Sequence, residues 1–107
     1  MTHQHEYEMN KQSFVIIGSG AILRSAIKEI IRFNGIIKAI YVDNETDRKR
    51  YINSFEIKKT SEFNDDYDFL KDKVNQSTWL LSIENKKIIS AEILSIFKGR
   101  ALNFHPG

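Results

Sequence analysis

The stretch from residue 13 to residue 42 constrains the fold more than any other part of the chain. Residues 13–17 (SFVII) are a β-branched and aromatic run that ends at Gly18, the pattern of a buried first strand. Gly18-Ser19-Gly20 makes a turn. After it, Ile22, Leu23, Ala26, Ile27, Ile30 and Ile31 recur at helical period, with Arg24, Ser25, Lys28, Glu29 and Arg32 on the other face. Asn34-Gly35 supplies a helix stop, since both residues tolerate left-handed backbone. Residues 36–42 then form a second strand closed by Asp43-Asn44. Strand, glycine turn, helix and strand within about 30 residues make a βαβ unit, whose crossover is right-handed and whose strands are parallel.

The rest of the chain continues the alternation. Residues 45–50 (ETDRKR) read as a charged loop or solvated helical turn, residues 55–58 as a short strand, and residues 65–75 as an amphipathic helix using Tyr67, Leu70 and Val74. Residues 78–83 (TWLLSI) form a core strand in which Trp79 packs rather than binds. Ser90 caps a short helix that turns Ile93, Leu94, Ile96 and Phe97 inward and stops at Gly99. Residues 100–104 are the last strand, read as buried. The fold class expected is α/β, a Rossmann-like doubly wound parallel sheet that is incomplete at its C-terminal side. Residues 13–107 make one domain part, preceded by a disordered polar leader at 1–12 whose His3 and His5 are two apart.

In such a sheet ligands sit beyond the carboxyl ends of the strands. Those ends carry Gly18-Ser19-Gly20, Asp43, residues 84–87, and Asn103 with His105, so the chemically interesting side chains share one rim. A net charge of +2 gives no electrostatic reason to expect nucleic acid or an anionic membrane as partner. No run approaches the ~20 apolar residues of a membrane span. With no cysteine there are no disulfides or thiolate metal sites, and no metal is expected. That composition suits a cytoplasmic protein.

Two places on the rim carry chemistry. The turn Gly18-Ser19-Gly20 before a helix lets backbone N–H groups approach a substrate phosphate. Tight strand-to-helix turns use glycines too, and the third glycine of a dinucleotide fingerprint is replaced by Leu23, although Asp43 stands near the place of the ribose-binding acid. The second place is Asn103-Phe104-His105. Residues two apart on a strand point to one face, which puts the Asn103 amide beside the His105 imidazole. Pro106 and Gly107 stiffen and turn the exit. An amide donor and an imidazole held together suit a carbonyl under attack.

The segment Ala101-Leu102-Asn103-Phe104-His105-Pro106-Gly107 resembles the Asn-x-His-Pro motif of the 10-formyltetrahydrofolate-dependent formyltransferase family. The preceding loop, short helix and glycine at residues 88–99 are similar as well. The likeness is close over the last twenty residues and generic from Phe14 to there. It implies that Asn103 and His105 are catalytic and flank the formyl carbon. It also implies that 10-formyltetrahydrofolate is the formyl donor, and that a small-molecule primary amine, with an amino sugar as one candidate, is the acceptor. The loop at 83–89 falls on the family's pterin pocket, which assigns Ile83, Glu84, Lys87, Ile88 and Ile89 to donor binding. Two departures from the pattern matter. The family's third catalytic residue, an Asp, lies beyond the motif and is absent here, so the chain is expected to be inactive alone. Ala21-Ile22 stands where glycinamide ribonucleotide enzymes have Ser-Asn, against that acceptor.

Two other readings stay open. One is a nucleotide- or NAD-binding module using Gly18, Gly20 and Asp43. The other is a non-catalytic interaction fragment, self-associating through the exposed edge of its final strand.

Overall fold

The computed structural model describes residues 11–105. Its elements are β1 (Ser13–Gly18), α1 (Gly20–Arg32), β2 (Ile36–Tyr41), α2 (Glu45–Tyr51), β3 (Ile57–Lys58), a 3₁₀ turn (Thr60–Asp65), α3 (Tyr67–Lys73), β4 (Thr78–Ile83), α4 (Ala91–Phe97) and β5 (Ala101–Phe104). All five strands pair in parallel in the order β3-β2-β1-β4-β5. The order reverses between β1 and β4, where β1 runs one way to β2 and the other way to β4. This is the doubly wound, Rossmann-like α/β architecture.

Strand parity divides the core between two faces. Val15, Ile17, Ala39, Tyr41 and Leu80 pack with Phe63, Leu70 of α3 and Ile93 and Phe97 of α4. Ile16, Ile40, Val42, Leu81 and Ile83 pack with Leu23 and Ile27 of α1. Each fully buried Val, Leu or Ile side chain among them contributes about 1.5–3 kcal/mol by leaving water. The expected leader at 1–12 falls mostly outside the described residues, as do Pro106 and Gly107. Its last member, Gln12, already joins the sheet by accepting the Ile36 N–H at 3.2 Å.

Three local features sharpen or correct the sequence reading, the first of them bearing it out. The left-handed residue that stops α1 is Asn34 at φ 60°, while the Gly35 N–H reaches back to the Ile30 carbonyl at 2.8 Å. Residues 45–50 are the greater part of a true helix, α2, because Asn44 caps it through the Asp47 N–H at 3.0 Å. The last strand, read as buried, is instead the sheet's edge, with Leu102 and Phe104 nearly half exposed. Its register explains the edge: the carbonyls of Arg100 and Phe104 accept from Leu80 and Glu84 of the neighbouring strand, so the backbone groups of Ala101 and Asn103 point outward. Among the described residues no helix is long and apolar enough to cross a membrane.

One part-buried polar cluster ties β2 to β3 and to the start of α3. The Tyr41 hydroxyl donates to Asp66 at 2.8 Å, and Lys58 pairs with the same carboxylate oxygen at 2.7 Å. Burial first, and the neighbouring Asp66 carboxylate second, hold the Tyr41 phenol well above the ordinary tyrosine range. Tyr41→Phe is expected to cost about 1.5 kcal/mol at neutral pH, the low end for a bond to a charged acceptor, because Lys58 still serves Asp66. The native phenol keeps its proton where the unfolded chain, near pKa 10, gives it up. That contribution is complete below about pH 10 and is lost as pH rises further. Urea midpoints measured from pH 7 to 11 should therefore fall more steeply in the parent than in Tyr41→Phe. Equal slopes would contradict the buried pairing.

Candidate functional site

The β4–β5 end of the rim is built from two strands, one helix and the loop at 84–90. β4 and β5 run side by side with Ser82 opposite Asn103 and Ile83 opposite Phe104. Parity then sends Leu80, Ser82, Ala101 and Asn103 to the face that carries α4. Ile83 goes the other way and is 1% exposed in the α1-side core, so two of the residues assigned to donor binding, Ile83 and Glu84, do not line the cavity that Lys87, Ile88 and Ile89 share.

At the end of β5 the Asn103 Nδ2 lies 2.7 Å from His105 Nε2. With the amide nitrogen as donor, the imidazole Nε2 accepts, and the neutral ring carries its proton on Nδ1. The expected side-by-side placement is therefore realised as a direct hydrogen bond. Both residues are exposed, and both line a cavity of about 370 Å³ whose other walls include Lys87, Ile88, Ile89 and Leu94. That volume falls within the range of small-molecule sites. Its walls are mainly aliphatic, with Ser82, Asn85, Asn103 and His105 as convergent polar groups.

The loop at 84–90 owes its shape to amide side chains. Asn85 accepts the Lys87 N–H at 3.0 Å and donates to the Lys87 carbonyl at 3.0 Å and to Ser82 Oγ at 3.3 Å. At the other end, Ser90 caps α4 by accepting the Ile93 N–H at 3.2 Å, as its sequence position foretold. Neither Asn85 nor Ser82 stood out in the sequence; an Asn two residues before a basic residue is no signal without the fold around it.

The glycine turn lies on a neighbouring cavity of about 310 Å³ that shares Asn85, Lys86 and Lys87 with the first. Gly18, Ser19, Asp43 and Glu84 line it. Here Glu84, with a left-handed φ of 49°, is fixed at both of its backbone groups. Its N–H donates to the Phe104 carbonyl at 2.9 Å, and its carbonyl accepts from Ser19 Oγ at 3.3 Å. The Glu84 carboxylate consequently sits at the start of α1, with Oε2 only 2.5 Å from where a Cβ on Gly20 would lie. α1 has no acidic residue in its own first turn, so Glu84 supplies the negative charge that a helix N-terminus favours. Asp43 is likewise engaged: one carboxylate oxygen accepts the Thr60 N–H at 3.0 Å, and the other accepts the Thr60 hydroxyl. Among the described residues no three His, Cys, Asp or Glu side chains gather as a metal site would need.

The rim thus joins two cavities. One carries the Asn–His pair among apolar walls, and the other carries the Asp43 carboxylate, bonded to Thr60, and the Glu84 carboxylate at the start of α1. Comparison with protein-family models, curated proteins and solved structures finds no match to this chain.

Proposed function

We propose that the cavity between the 84–90 loop and β5 is the donor side of a formyl-transfer site. It takes the head of a reduced folate and presents its carbonyl to Asn103 and His105. The observation that carries this reading is the 2.7 Å Asn103–His105 hydrogen bond at the mouth of that cavity. When bound, 10-formyltetrahydrofolate would supply the formyl carbonyl. The chain supplies the rest. Aliphatic walls from Ile88, Ile89 and Leu94 suit a flat heteroaromatic face, while Asn85 and Ser82 add polar groups for its edge. Asn103 has an amide N–H to offer an oxygen gaining negative charge. His105 can take a proton from an attacking amine at Nε2 once the Asn103 amide turns from that nitrogen to the substrate oxygen. Lys87, half-buried on the cavity wall, places a positive charge near a carboxylate-bearing ligand.

Calorimetric titration with 5-formyltetrahydrofolate, a stable analogue of the donor, tests the reading. Saturable binding is expected, and Leu94→Trp should abolish it by filling the cavity from α4. A folded protein that shows no heat would overturn the proposal. The same titration with NAD or ATP should be flat. The helix start that a pyrophosphate would use already holds the Glu84 carboxylate, and Thr60 occupies the acid that a ribose would need.

A further inference from the structure

The 84–90 loop forms one wall of the Asn103–His105 cavity, yet among the described residues no strand pairs with its outer half. Ile88, at its tip, is 87% exposed and gains little from packing. A single side chain from elsewhere in the chain supplies the missing support. Asn64 Nδ2 donates to the Ile88 carbonyl at 2.8 Å, and Asn64 Oδ1 accepts the Ser90 N–H at 2.9 Å. One primary amide thereby bonds a carbonyl and an N–H two residues apart, as a neighbouring strand would. The same contact fixes Ser90, the residue that caps α4 and so sets the start of the helix behind the cavity.

Asn64 is itself well anchored. The 3₁₀ turn that carries it is pinned by Phe63, which is fully buried and meets the Tyr41 ring edge-on at 4.8 Å. The turn's start is closed by the Lys59 N–H donating to Glu62 at 2.7 Å, and Thr60 binds Asp43 at the end of β2. An anchored amide orders the groups it bonds without first losing its own freedom.

We infer that Asn64 is the positioning residue of the donor cavity: it holds the Ile88 and Ser90 backbone, and through them the loop wall that faces Asn103 and His105. The assignment of a donor to this cavity rests on the reading above; the clamp itself rests on the two hydrogen bonds. The pairing joins positions 24 and 26 residues apart in sequence, which is why no local pattern announces it.

Asn64→Ala and Asn64→Asp separate these elements. In Asn64→Ala, amide exchange at Ser90, followed by NMR in the unliganded chain, should accelerate at least tenfold, while Val15 and Leu81 in the core keep their protection. Asn64→Asp retains an acceptor for the Ser90 N–H and should preserve its protection, but it offers no donor to the Ile88 carbonyl. Both variants should bind 5-formyltetrahydrofolate at least tenfold more weakly than the parent with little change in thermal midpoint. Unchanged Ser90 exchange in Asn64→Ala, or binding within twofold of the parent in both variants, would overturn the inference. If the parent itself binds no folate, faster Ser90 exchange in Asn64→Ala still supports the clamp and only the donor assignment falls.

Discussion

Gly18→Ala is expected to leave the chain unfolded at room temperature, or folded with its stability reduced by more than about 4 kcal/mol. Such a loss is exceptional for one methyl group and has a definite cause. A Cβ at this position would lie 1.8 Å from the Ile83 carbonyl oxygen and 2.8 Å from its carbon, with φ at 152°. Both are backbone atoms of β4 and have no rotamer to escape into. Moving them would break the Ser19 N–H bond to the same carbonyl, 3.1 Å long, and disturb the central β1–β4 pairing. Domains of this size have only about 5–15 kcal/mol in hand. Gly20→Ala and Gly99→Ala make informative controls. At Gly20 (φ 85°) the added carbon meets the tip of the Glu84 side chain, which can swing aside; at Gly99 (φ 87°) it meets nothing within 4 Å. Each should cost about 1–2 kcal/mol, the penalty of left-handed backbone for an L-residue. Urea unfolding followed by circular dichroism would rank the three. If Gly18→Ala matched Gly99→Ala, the close approach of β1 and β4 at the rim would be refuted.

That approach also shows where a sequence reading succeeds and where it stops. The β1–α1–β2 unit and β4 were legible because β1 and β4 are short continuous apolar runs and the helix between β1 and β2 repeats Leu23 and Ile27 at helical period. The helix start at Ser90 was legible because capping is a local bond. The 3₁₀ turn was not. Its residues Thr60, Phe63 and Asn64 each serve a partner 17 or more positions away, so their reason for being there lies in the tertiary structure. That Ile83 and the rest of the 83–89 loop face different sides was not legible, for a simpler reason. Strand parity turns Ile83 inward on the far face, and parity at a strand's last residue depends on where the strand ends. Glu84 carried no sequence signal for its seat at the head of α1, because β1 and β4 are neighbours only after folding.

On the proposed formyl-transfer reading, Asn103→Ala should lower the rate of transfer by about 100- to 1,000-fold. This is the roughly 2.7–4 kcal/mol that one oxyanion donor provides. Stability should hardly change, since Asn103 is exposed on the edge strand and its side chain bonds only to His105 among the contacts described. Affinity for 5-formyltetrahydrofolate should stay within a few-fold of the parent as well, because the amide acts on charge that develops during the reaction and not on the bound ground state. The effect therefore belongs in kcat. His105→Ala should cost about 100-fold or more through lost proton transfer. The 2.7 Å bond between the two side chains makes a further demand. Removing Asn103 also frees the imidazole Nε2, so each single change already disturbs its partner, and the double variant should be little worse than the poorer single. Strict additivity would mean that the residues act apart, and a full-speed Asn103→Ala enzyme would remove the amide from the chemistry altogether.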